Sequence, residues 1–148
     1  MTPITDHFSL EELTFSQQAL RTGLDNTPSL AAVDHLHMLC VLLLEPIRSL
    51  LGCPLHVDSG YRSPALNAAI GGAAQSAHMS GRAADILPIG PDLHAAFEAI
   101  KVSGLPFDQL IIECGAWIHV SIPDNGDPAR QQCLAASGSP GHWTYEVA

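Results

Sequence analysis

The chain has 148 residues, of which 47% are apolar. That is enough for one domain around one buried core, and it excludes a disordered chain. A net charge of −9, with only six Lys and Arg, excludes a basic nucleic-acid surface and adsorption to anionic lipid.

The first ten residues carry Asp6 and no basic-then-apolar run. They do not read as a secretory signal, so synthesis in the cytoplasm is expected. Phe8-Ser9-Leu10-Glu11-Glu12-Leu13 predicts a short helix. Ser9 suits its N-cap, and Glu12 lies three residues on, as in a capping box. Asn26-Thr27-Pro28-Ser29 reads as a turn. A long helix is predicted from about Leu30 to Leu51, because Val33, Leu36, Cys40, Leu43, Ile47 and Leu50 recur at spacings of three and four. Pro46 is expected to kink it and Gly52 to end it. The richest apolar run, Leu36 to Leu44, is short for a bilayer crossing. His35 and His37 lie two apart, on different faces of the helix.

Leu55-His56-Val57-Asp58 alternates and predicts a strand, followed by a turn, Ser59 to Pro64, with Arg62 at its centre. Ala65 to Ile70 predicts a short helix stopped by Gly71-Gly72. A loop holding His78 then leads into a strand from about Ala83 to Leu87. Asp92 to Val102 has helical character. Phe107 to Glu113 and Trp117 to Ile122 predict a β-hairpin. The Gly-, Pro- and Ser-rich tail, Pro123 to Ala148, is left unassigned within a domain spanning 1–148. Cys40, Cys53, Cys114 and Cys133 show no C-x-x-C pairing and read as buried or incidental thiols.

Two imidazoles and a carboxylate stand out. His78 and Asp85 are seven positions apart, with Gly81 and small residues between; His119 follows in Trp117-Ile118-His119-Val120-Ser121. Two His and one Asp form a three-ligand set that leaves a fourth zinc position open. Strand alternation supports their convergence. If Ile118, Val120 and Ile122 face the core, Trp117, His119 and Ser121 face the other way. Leu110 and Ile112 on the preceding strand also read as core, which leaves Gln109, Ile111 and Glu113 on the opposite face. Matching the two core faces pairs Ile112 with Ile118 across a three-residue loop, Cys114-Gly115-Ala116. Glu113 then lies opposite Trp117 and diagonal to His119, at roughly 7–8 Å between backbones. The same parity sets Asp85 against core residues Ala84 and Ile86. Arg62 offers a planar fork for a substrate carboxylate or an oxyanion. Asp108 is a candidate to orient a ligand histidine from behind, and His56 and Asp58 are further candidates for that task.

These motifs resemble the zinc peptidases that act on D-alanine-containing peptides of bacterial cell walls. That family includes D-alanyl-D-alanine carboxypeptidases, vancomycin-resistance dipeptidases and phage L-alanyl-D-glutamate endolysins. Ser59-Gly60-Tyr61-Arg62-Ser63 is similar to its arginine motif. Ser76, His78, Gly81, Ala83 and Asp85 are similar to its first metal motif, and Trp117 to Ser121 to its second. Phe8 to Leu13 and Glu45-Pro46-Ile47-Arg48 resemble its small phage-associated branch. The resemblance runs from about Phe8 to Ser121 and leaves the tail out.

The resemblance implies that His78, Asp85 and His119 bind one zinc ion, that Arg62 binds the substrate carboxylate, and that Ser76 hydrogen-bonds the peptide. Trp117 either lines the cleft or simply packs. Many members place the catalytic acid three residues before the second histidine, a position held here by Ala116. Glu113 is the nearest acid and the candidate base. The expected fold is a small α+β domain, with a mainly antiparallel sheet carrying helices on one face and zinc on the other. The expected function is hydrolysis of peptidoglycan stem peptides, as a phage-type endolysin released through a membrane pore or as a carboxypeptidase. The partner would be the stem peptide, with no nucleic acid or membrane, and the protein is expected to be a monomer. The alternative is a non-catalytic, zinc-stabilised module that binds wall peptides, which the alanine at 116 favours.

Overall fold

The computed structural model describes residues 1–148. Helices α1 (Leu10–Thr14) and α2 (Gln17–Thr22) each begin at a serine cap. Ser9 Oγ accepts from Glu12 N at 3.2 Å, and Ser16 Oγ accepts from Ala19 N at 3.1 Å. The predicted long helix forms over Leu30–Leu51. It consists of α3 (Leu30–Leu39), a π-helical turn (Cys40–Leu44) and α4 (Glu45–Leu51). Pro46 has no N–H to donate to the preceding turn. The helix absorbs this by widening ahead of the proline, where Glu45 N–H bonds Cys40 O, five residues back. The extra residue rotates the apolar stripe. Leu36, Cys40, Leu43 and Ile47 are fully buried as predicted, Leu39 and Leu44 join them, and Leu50 is left exposed. By length and composition this helix is long enough and apolar enough to cross a membrane, a point the short run Leu36 to Leu44 did not reveal. In this fold Leu36, Leu39, Leu43 and Leu44 are buried in the core of the protein, while Leu30, Leu42 and Leu50 are exposed.

The sheet has six strands in the order β1 (Leu55–Ser59), β2 (Ala83–Pro88), β4 (Trp117–Ser121), β3 (Gln109–Glu113), β5 (Gln132–Ser139) and β6 (His142–Val147). Every neighbouring pair is antiparallel except β3 and β5. The fold is therefore α+β with a mostly antiparallel sheet, as expected. Helices α3, α4 and α6 (Leu93–Lys101) supply one side of a continuous core. Ala84, Ile86, Leu110, Ile112, Ile118, Val120 and Ile122 supply the other. The hairpin register matches the alternation argument: Ile112 pairs with Ile118 and Glu113 with Trp117, across Cys114, Gly115 and Ala116.

The tail that the sequence left unassigned forms β5 and β6. The chain leaves β4 at Ser121, passes round the start of β3 and returns as β5, with Gln132 opposite Gln109. Asp108 and Arg130 clamp this crossing, with Nη2 to Oδ2 at 2.8 Å and Nε to Oδ1 at 3.0 Å. All four cysteines are free thiols.

Candidate metal centre

The face of the sheet turned away from the helices floors an open cleft of about 820 Å³. Asp85 on β2 pairs directly with His119 on β4. Both point into this cleft because their neighbours Ala84, Ile86, Ile118 and Val120 are committed to the core. His78 comes from outside the sheet, on a single 3₁₀ turn (Ala77–Ser80) between helix α5 (Pro64–Ala69) and β2. Ser76 Oγ caps that turn by accepting from His78 N at 3.3 Å. Gly81 ends it at φ 76°, and a Cβ there would lie 2.5 Å from Ala32 O. The glycine of the first motif is therefore required by both its dihedral and its contact with α3.

Three donor atoms meet. His78 Nε2 lies 3.2 Å from Asp85 Oδ1 and 3.2 Å from His119 Nδ1, and His119 Nδ1 lies 3.1 Å from Asp85 Oδ1. All three side chains are buried. Two imidazole nitrogens at 3.2 Å share no more than one proton between them, so a cation is the natural centre of the triangle. Metal–ligand bonds of about 2.0–2.1 Å in a tetrahedron separate the donors by about 3.3 Å, close to the spacing found. The donor set fits a divalent metal and leaves the cleft side open.

The surroundings orient these ligands. His78 Nδ1 lies 2.7 Å from Gly60 O, which leaves Nε2 for the triangle. Gly60 is itself pinned against α1, where an added Cβ would meet Leu13 O at 2.2 Å. Arg62 Nη2 donates to Asp85 Oδ2 at 3.1 Å, Nε donates to Ser59 Oγ at 3.1 Å, and Nη1 donates to Asn67 Oδ1 at 3.4 Å. The strand β1 bulges at Asp58, so that Ser59 faces Asp85 and the following residues turn Arg62 over the cleft. Asn26 holds that turn by accepting from Ser63 N at 2.8 Å and donating to Tyr61 O at 3.1 Å. Burial alone would raise the Asp85 carboxyl. The two histidines outweigh it and hold Asp85 far below the usual carboxylate range. Burial pushes His78 down, against the opposing pull of Asp85.

Glu113 lines the same cleft, as do Ser76 and Trp117. Its Oε2 accepts from the Trp117 indole N–H at 2.7 Å. Burial, and then the charge of Asp85, raise its carboxyl above the ordinary value. Trp117 therefore has a polar task as well as a lining one.

Asp108 requires a correction. It lies just ahead of β3 and lines the cleft, but its carboxylate is spent on Arg130. It meets neither histidine. His56 and Asp58 are exposed and do not orient the ligands either. That work falls to the Gly60 carbonyl and to Arg62. Sequence reasoning missed Gly60, Asn26 and Asn67, although Gly60 stands inside the quoted arginine motif.

No curated protein matches the chain. A family model described as Peptidase M15 matches residues 6–121, from before α1 to the end of β4. That span contains every ligand of the triangle and the residues that orient it. The chain belongs to the M15 family of metal-dependent peptidases.

Proposed function

We propose that the chain is a zinc peptidase cutting peptidoglycan stem peptides, with His78, Asp85 and His119 holding the ion and Glu113 as general base. The observation that carries this reading is the placement of Glu113. It sits on the same sheet face as His119, half-buried, with its carboxyl raised above the ordinary value by burial. A zinc ion held by His78, Asp85 and His119 would supply acidity to a water and polarise the scissile carbonyl. Glu113 then takes the proton of the attacking water and passes it to the leaving amine. The Trp117 indole fixes the Glu113 carboxylate while this happens. Arg62 has spent three of its five N–H donors on Ser59, Asn67 and Asp85. The remaining two serve a substrate carboxylate, and Ser76 retains its hydroxyl proton for the peptide.

The cleft extends past the triangle toward β6, which suits an internal cut as in the phage endolysins better than removal of one terminal residue. Mass spectrometry of purified muropeptides incubated with the zinc-loaded protein tests the reading. An internal cut is expected. Loss of a single D-alanine would make the protein a carboxypeptidase. No change would leave the non-catalytic wall-binding module, the reading that the alanine at 116 favours.

A further inference from the structure

Strands β5 and β6 lie beyond residues 6–121, the span that the family model matches, yet their tip, Pro140, and Trp143 and Tyr145 of β6 line the cleft. The cross-strand register carries the floor of the site into them without a break. Trp117 faces Glu113, Glu113 faces Ala136, and Ala136 faces Tyr145. Residues opposite one another share a sheet face, so Tyr145 stands on the face of Glu113. Trp143, two residues earlier, has the same parity and sits opposite Gly138. Small residues at 136 and 138 leave both rings standing above the sheet, and both line the cleft. Burial, and then the charge of Glu113, raise the Tyr145 hydroxyl. The hairpin tip is braced from across the cleft, since a Cβ on Gly71 would lie 3.0 Å from Pro140 Cβ.

Charge is distributed unevenly along this cleft. Its guanidinium groups belong to Arg62, Arg82 and Arg130, paired with Asp85, Asp124 and Asp108. Strands β5 and β6 contain no Lys or Arg, and the charge that acts on Tyr145 is the negative one of Glu113. A segment bearing carboxylates is repelled at this end. A neutral ring with apolar C–H faces and hydrogen-bonding edges is accepted by two amphipathic aromatics. Strand order sets Arg62, which follows β1, at one end of the cleft and β6 at the other, with the ligands on β2 and β4 between them.

We propose that Trp143 and Tyr145 form a subsite for a neutral N-acetylated amino-sugar ring, the glycan from which the stem peptide hangs. This rests on the peptidoglycan reading above. The substrate then lies with its sugar over β6 and its carboxylate-bearing end toward Arg62.

The test uses the metal-loaded full chain and two substrates, a disaccharide-linked stem peptide and the same peptide without sugar. The sugar-bearing substrate is expected to have the lower KM. Trp143→Ala should raise that KM roughly 3- to 10-fold and leave the bare peptide within about two-fold. Equal losses on both substrates, or none on the sugar-bearing one, would overturn the subsite. Binding gives a second readout independent of turnover. The chain has two tryptophans, so two indole N–H signals appear by NMR, and Trp143→Ala identifies one of them. A peptide-free N-acetylglucosamine oligosaccharide should shift the Trp143 signal saturably. That shift without cleavage of either substrate would keep the subsite and remove the peptidase reading. Cleavage of both substrates with no shift and no KM preference would remove the subsite alone.

Discussion

Trp117 and Glu113 face each other across the β3–β4 hairpin, and the indole N–H of the first holds the carboxylate of the second at 2.7 Å. The pair stands beside the His119 row, so the hairpin that supplies a ligand also supplies an acid. A three-residue loop makes this possible, because it keeps Glu113 and His119 on one face.

Glu113→Gln keeps the shape and removes the base. Activity should fall about 10²–10⁴-fold, with metal content and melting temperature unchanged. Steady-state kinetics on a muropeptide decide it, and activity within a few-fold of wild type would exclude Glu113 from proton transfer.

Trp117→Phe keeps the ring and removes the hydrogen bond. Burial and the charge of Asp85 hold the Glu113 carboxyl above its ordinary value, and the Trp117 bond opposes them. Losing that bond raises the carboxyl further, so the ionised base appears only at higher pH. The acid limb of the rate–pH profile should move up; a limb that stays in place would show that Glu113 does not set it.

Removing one imidazole from the triangle leaves two protein ligands. His119→Ala and His78→Ala should each lose stoichiometric metal, read by elemental analysis after dialysis. Full occupancy in either variant would rule out this centre.

Arg62→Lys keeps a charge but loses the planar fork that spans Ser59, Asn67 and Asp85. Residues that orient a metal ligand typically matter about 10- to 100-fold in metal affinity or activity. A competition titration with a chelator should therefore show weaker metal binding, together with lower activity. Unchanged metal affinity with reduced activity would confine Arg62 to the substrate.

Asp108→Ala breaks the clamp on the chain crossing before β5. Limited proteolysis between Pro123 and Gln131 should accelerate while metal content stays at wild type. Loss of metal would instead return Asp108 to the ligand histidines.

The sequence by itself determined the three residues that converge in the candidate centre, the core faces and the hairpin register. Each follows from local parity: alternation fixes which side of a strand a residue occupies, and Ile118 and Val120 leave His119 no other side. It also placed the long helix, although the π-turn ahead of Pro46 rotates the apolar stripe and leaves Leu50 exposed. Tertiary structure alone decided what lies behind the ligands. Gly60 reaches the site after a strand bulge and Asn67 from helix α5, and no period shared with the ligand strands links their sequence separation to distance. Asp108 was misplaced for the same reason, since its partner Arg130 arrives from a crossing far along the chain. The tail hid its strands because its core-facing positions are Cys133 and Ala135 and its cleft-facing ones include Ala136 and Gly138, too small to mark an apolar alternation. Those same small residues let Trp143 and Tyr145 stand over the cleft, so the feature that obscured β5 and β6 in the sequence is the one that shapes the wall.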